Sequence, residues 1–117
     1  MEGTRNVIGG ALARGIRSII HVSSAAALSD PDARVGDESL QPAAAGSAYA
    51  ASKVAAERYV RTLVEQGEPV TITYPTGVIG PNDPAMSEGN QGLKIFFDAG
   101  LIRTSSGMQL IDVRELA

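Results

Sequence analysis

The sequence has no cysteine, which excludes a disulfide scaffold, a thiolate metal site and a thiol nucleophile, and fits a reducing compartment. Its one histidine, His21, has no second histidine or cysteine to share a metal and reads as a strand residue packed in a sheet. Positive charge is in short supply too. Ten Lys+Arg against thirteen Asp+Glu leave a formal charge of −3, which excludes a nucleic-acid binder driven by bulk charge. No apolar run approaches the roughly 20 residues of a membrane helix, and Met1 to Arg5 contains nothing like the apolar segment of a signal peptide. The expectation is a soluble cytoplasmic protein with neither nucleic acid nor membrane as partner. Aromatic residues make up only 4% of the chain, and Phe96 and Phe97 are expected in the core or lining a pocket.

What remains is ordinary globular composition. With 117 residues, 44% apolar and 20% charged, the length fits one domain or part of one, and the apolar content excludes a disordered chain. Val7, Ile8, Ala11 and Leu12 recur at helical spacing between Thr4 and Gly15, and Gly15 supplies a stop signal. Ser18 to Ser23 is a nearly continuous β-branched run, the pattern of a strand buried on both faces of a parallel sheet. Residues 25 to 46 show no period and read as a functional loop. Ser47 opens a helix lasting to about Gln66 and closed by Gly67. Pro69 to Tyr74 is a second strand, and residues 75 to 92, rich in proline and glycine, carry loop chemistry. Leu93 to Ala99 is predicted as a short helix, Gln109 to Val113 as a last strand, and Arg114 to Ala117 as the first turn of another helix. The alternation predicts an α/β protein with a parallel sheet and right-handed crossovers. A chain that opens inside a helix, with so few strands, is expected to be a fragment of its parent fold.

On a helical wheel of about 100° per residue, Lys53, Ala56, Val60, Leu63 and Val64 fall within roughly 60° of Tyr49, while Arg58, Arg61 and Glu65 fall on the far side. A lysine on the apolar stripe is rarely found there without a partner or a task. Tyrosine and lysine at i and i+4 are neighbours, so the ammonium can bias the phenol toward phenolate and make it useful for proton transfer near neutrality. Ser23 and Ser24 close the first strand, at the sheet edge where α/β proteins place ligand-binding groups.

These blocks, Tyr49-Ala50-Ala51-Ser52-Lys53 with His21-Val22-Ser23-Ser24-Ala25, Gly3 to Val7, Tyr74 to Pro81 and Ile111 to Ala117, together resemble the short-chain dehydrogenase/reductase family in its extended, NAD-dependent epimerase/dehydratase branch. The resemblance implies a partial Rossmann-like, doubly wound parallel sheet lacking its first strands, with residues 1–117 forming its catalytic side. It implies that Tyr49 exchanges a proton with a reacting carbonyl or alcohol, that Ser24 hydrogen-bonds the same oxygen, and that Lys53 holds the nicotinamide ribose. Ser23 is the alternative serine. Pro75, Thr76, Gly77 and Val78 would face the nicotinamide carboxamide, and residues 25–46 and 82–108 would shape the pocket of a small carbonyl or alcohol substrate. The implied function is an NAD- or NADP-dependent oxidoreductase. The alternatives are a sugar-nucleotide epimerase or dehydratase using the same residues, or an inactive fragment that needs a partner or a missing N-terminal half. A homodimer through the motif helix is also implied. The sequence departs from the pattern in one respect: no G-x-x-G-x-x-G or G-x-G-x-x-G loop follows any strand, so the side of the fold that cradles a pyrophosphate is not among these residues.

The individual residues also have plainer readings. Tyr49 and Lys53 could be a half-buried tyrosine and a snorkelling lysine, and the serines could be caps. Asp30, Asp32, Asp37 and Glu38 read as a solvated loop. Met86 and Met108 fall in the candidate substrate region but fill gaps anywhere.

Overall fold

A computed structural model describes residues 2–28, 38–42, 46–100, 107 and 109–117. The chain divides into two compact units, Met1–Tyr74 and Pro75–Ala117.

The first unit is one helical layer on a two-stranded parallel sheet. Helix α1 (Glu2–Ala13) ends before Gly15, whose φ of 74° lets the chain turn back where other residues would be strained. Strand β1 (Ile19–Val22) pairs in parallel with β2 (Val70–Thr73), in the register Ile19↔Val70 and His21↔Ile72. Between them run a single 3-10 turn (Ala25–Ala27) and the long helix α2 (Ala48–Glu65). Ser47 sets the start of α2: its Oγ accepts the Ala50 N–H at 3.1 Å, satisfying a donor that the first turn leaves without a partner. The core is small. Ile8 of α1, Val60 of α2 and Val70 of β2 are buried together, with Leu12, Ile19, Tyr59, Leu63 and Ile72 packed around them.

Strand β1, whose sequence pattern suits burial on both faces of a larger sheet, is covered on one face in this unit. Burial alternates along β1, and Ile20 and Val22 are 67% and 55% exposed, because both helices pack on the face carrying Ile19. The segment read as a featureless loop from 25 to 46 begins with the 3-10 turn, which packs against α2 and buries Ala27 and Leu28. Asp30, Asp32 and Asp37 lie outside the described residues.

The second unit also departs from the expected loop. Strand β3 (Gly77–Ile79) lies within residues 75 to 92 and pairs in parallel with β4 (Leu110–Asp112), and helix α3 (Glu88–Ala99) starts five residues before Leu93. Glycine content there reflects close packing rather than a loop. A Cβ on Gly89 would stand 2.6 Å from the Val78 carbonyl oxygen, and one on Gly77 would stand 2.8 Å from Leu110 Cδ2. Asp83 orders the turn into α3: its Oδ2 accepts the Ser87 N–H at 2.7 Å, the Ser87 hydroxyl at 2.6 Å and an Asn90 amide N–H at 2.8 Å. Those bonds, led by the Ser87 hydroxyl, hold the Asp83 carboxyl at about 2. Phe96 and Phe97, expected to be covered, are 40% and 79% exposed because they lie on the outer side of α3. Met86 is exposed in a left-handed conformation, and Met108 lies outside the described residues. The turn anticipated at the C-terminus is α4 (Val113–Leu116), capped by Asp112. Among the described residues no helix is long and apolar enough to cross a membrane.

Two valines one turn apart on α2 test where the core lies. Val60 is fully buried and Val64 is 42% exposed. In urea unfolding Val60→Ala is expected to cost about 2 kcal/mol, and Val64→Ala less than about 0.5 kcal/mol. Equal costs would place the core elsewhere.

Candidate active site

Helix α2 carries the candidate reacting groups in its first two turns. Tyr49 stands near the N-terminal end and is 59% exposed rather than part of the covered stripe. Lys53, one turn later, is half-buried, and its Nζ lies 5.8 Å from the centre of the Tyr49 ring. That distance is within cation–π range, so the pair expected from the i, i+4 spacing is formed.

The two serines after β1 have separate environments. Ser23 is buried, and its N–H donates to the Thr73 carbonyl at 2.8 Å, extending the β1–β2 ladder by one bond. Ser24 is half-buried and caps the 3-10 turn, its Oγ accepting the Ala26 N–H at 3.2 Å. Accepting through a lone pair leaves the hydroxyl proton uncommitted by that bond. Of the two, Ser24 is the less buried. No hydrogen bond joins the Ser24 and Tyr49 side chains.

Pro75, Thr76, Gly77 and Val78 belong to the second unit. Pro75 and Thr76 lead into β3, and Gly77 and Val78 are its first two residues, paired with Leu110 and Ile111. Gly77 is where β3 and the segment before β4 approach most closely.

The wheel sets Arg61 on the solvent side, and the sequence reading gives Glu57 no place; the structure differs on the first and adds the second. Glu57 is completely buried, and the Arg61 side chain is only 18% exposed. The Arg61 Nε donates to Glu57 Oε1 at 2.9 Å, the Tyr74 hydroxyl donates to the same oxygen at 2.5 Å, and Arg61 also donates to the Tyr74 oxygen at 3.2 Å. A further Arg61 N–H donates to the Glu38 carbonyl at 2.9 Å. Burial pushes the Glu57 carboxyl up. The Tyr74 and Arg61 hydrogen bonds, the nearby Ser23 hydroxyl and the Arg61 charge outweigh it, and the group ends below the ordinary glutamate value. Burial and the Glu57 charge raise Tyr74 above the ordinary phenol value. His21 faces the same region. Burial holds it below the ordinary imidazole value, with the Glu57 carboxylate opposing and the Lys53 ammonium reinforcing the shift. Three buried polar atoms here, His21 Nε2, Ser23 Oγ and Glu57 Oε2, close no hydrogen bond of ordinary geometry with the described residues. One signal of this cluster was present in the sequence: Glu57 follows Lys53 by four residues, so it lies on the same side of the helix as the motif lysine.

The comparisons come from three directions. The family model described as "NAD dependent epimerase/dehydratase family" matches residues 1–108. A protein from Synechocystis sp., provisionally named dihydroflavonol 4-reductase, is 33% identical over 98% of this chain. The chain spans 35% of that relative's length. Among solved structures, the UDP-N-acetylglucosamine 4-epimerase from Methanobrevibacter ruminantium, in complex with UDP-N-acetylmuramic acid, aligns with a TM-score of 0.70 at 20% identity. That alignment covers 99% of this chain and 40% of the epimerase chain. The likeness establishes a partial Rossmann-like α/β fold.

The Glu57 carboxyl makes stability depend on pH in a defined direction. Its folded value lies below the unfolded one, so its contribution is present above the unfolded glutamate value and is lost as pH falls through the lowered folded value. The stability gap between the wild type and Glu57→Gln is therefore expected to be constant near neutrality and to shrink as acid protonates the wild-type carboxylate. Urea unfolding of both proteins across that range checks it. A gap that widens in acid would show that the carboxylate is not held ionised.

Proposed function

Because the chain belongs to the NAD-dependent epimerase/dehydratase family, we propose that it forms the nicotinamide and proton-transfer side of a reductase acting on a carbonyl or secondary alcohol. The observation that supports this most directly is the Lys53 ammonium set against the Tyr49 ring, one helical turn apart.

The side chains present suit the nicotinamide end of an NAD or NADP molecule. Lys53 is a half-buried cation with three N–H donors, which matches the paired hydroxyls of a ribose. The glycine-rich loop for the pyrophosphate is not in these 117 residues, so the fit extends to the nicotinamide end alone. Pro75 to Val78 are assigned to the carboxamide by resemblance to the family. When bound, the nicotinamide supplies or takes up a hydride.

The protein's own part is proton transfer and orientation. Tyr49, exposed at the start of α2, donates a proton to the substrate oxygen on reduction and takes it back on oxidation. Lys53, whose ammonium stands over the Tyr49 ring, is the cation placed to offset the charge that Tyr49 carries once it has given up that proton. Ser24 donates its hydroxyl proton to the same substrate oxygen, while the Ala26 N–H fixes the orientation of the hydroxyl from behind. The reductase reading is preferred to the epimerase one because the relative at 33% identity carries a reductase name, whereas the 20% likeness to an epimerase speaks to fold.

Fluorescence titration with NADH and NADPH, followed by consumption of the reduced cofactor against a panel of aldehydes and ketones, tests the reading. Lys53→Ala is expected to weaken cofactor binding about tenfold or more. Tyr49→Phe should leave binding nearly intact while lowering turnover about a hundredfold. Turnover indifferent to Tyr49→Phe would refute the assignment, and interconversion of isomers without net cofactor consumption would move it to the epimerase reading.

A further inference from the structure

Glu57 is costly to bury and has no part in the proton transfer described above. A carboxylate withdrawn from water loses more than its ion pair returns, and apolar side chains of similar size would fill the same volume at least as favourably. Van der Waals packing of Val60 and Leu63 with Val70 and Ile72 in the core cluster already draws α2 onto the sheet. What packing does not supply is direction. A carboxylate that accepts from several donors fixes the elements bearing those donors in one relative position, whereas apolar contacts tolerate sliding.

The donors come from the places where such fixing matters. Tyr74 is the residue immediately after β2, and the Thr73 carbonyl beside it accepts the N–H of Ser23, the residue immediately after β1. Arg61 is one turn further along α2 and also grips the backbone of Glu38. Ser23 adjoins Ser24, and Lys53 lies one turn before Glu57 on the same helix. The carboxylate thus stands where the helix bearing Tyr49 and Lys53 meets the strand end bearing Ser24. Every charged or titratable group found around it, His21 from β1, Lys53 and Arg61 from α2 and Tyr74 after β2, belongs to one of these elements.

We propose that Glu57 is a positioning residue: by tying Tyr74 to α2, next to the Thr73 carbonyl that accepts the Ser23 N–H, it holds the Ser24 turn at a fixed place against the helix that carries Tyr49 and Lys53. The proposal rests on the reading of those three residues as the reacting groups, but its structural half can be measured without turnover. The Ser23 N–H to Thr73 bond at 2.8 Å, the Ala27 N–H to Ser24 bond at 2.9 Å and the Leu28 N–H to Ala25 bond at 3.0 Å all lie in the segment that Glu57 is proposed to hold. Amide hydrogen exchange reads them one by one.

In Glu57→Gln, protection of the Ser23, Ala27 and Leu28 amides is expected to fall about tenfold more than that of the amides in the middle of α1 and at the start of β2. Val60→Ala, which weakens the core without touching the cluster, should lower protection across the unit alike. Tyr74→Phe removes one donor and keeps the carboxylate, and is expected to give the same local pattern at smaller size. It also serves if Glu57→Gln does not fold. Where turnover is measured, Glu57→Gln should lower kcat about tenfold while leaving KM and cofactor affinity within about twofold, and Val60→Ala should leave kcat within about twofold. Uniform loss of protection in both cluster variants, or a kcat loss matched by Val60→Ala, would overturn the proposal. A local exchange defect together with turnover insensitive to Tyr49→Phe would instead uphold the clamp and refute the catalytic reading.

Discussion

An ionised carboxylate stays inside a protein only when donors replace the water it gave up, and each donor must then be held where the carboxylate needs it. In the first unit Glu57 is completely buried and takes hydrogen bonds from the Tyr74 hydroxyl and the Arg61 guanidinium on a single oxygen. Those two bonds require that β2 end at Tyr74 beside α2 and that the turn of α2 after Glu57 bring Arg61 inward. The hydrophobic cluster of Ile8, Val60 and Val70 supplies cohesion but no such demand on position. The arrangement of these elements around the candidate site therefore depends more on this one charge than on the apolar core beside it.

The same dependence explains why Ser23 and Ser24, adjacent in the chain, have different roles. Strand geometry turns successive side chains to opposite sides, so only one of two neighbours can face α2 at the end of β1. Ser23 faces the buried carboxylate and carries the last ladder bond to Thr73. Ser24 is left half-buried, where it caps the turn that packs on α2. A hydroxyl that accepts a backbone N–H and keeps its own proton uncommitted by that bond suits an oxygen-binding role better than one sealed in the interior.

Helices and strands were legible in the sequence where periodicity was long and stop signals clear. Ser47 and Gly67 bracket α2 as their chemistry predicts, and the β-branched runs at 19–22 and 70–73 are strands. The pairing of Tyr49 with Lys53 followed from spacing alone. The short strand Gly77–Ile79 was hidden because proline and glycine before and after it read as loop, whereas Gly77 is there to let β3 approach Leu110. The exposed side chain of Phe97 was not foreseen because periodicity tells which residues share a face and not which faces are covered.

The wheel failed at Arg61, and passed over Glu57, for a reason that bears on the site itself. Polar residues near the boundary of an apolar stripe are assigned by type, and type sends glutamate and arginine to solvent. Mutual hydrogen bonding changes that outcome, because two charges that complete each other's bonding can be covered together where either alone would not be. The clue is therefore not one residue but a set: a glutamate one turn after the motif lysine, an arginine one turn after the glutamate, and a tyrosine at the end of the following strand. Read as a set, these residues specify how a helix that bears a phenol and an ammonium is joined to the strand end that bears a serine. A cluster that joins them from behind constrains all three, although none of its side chains needs to touch a substrate.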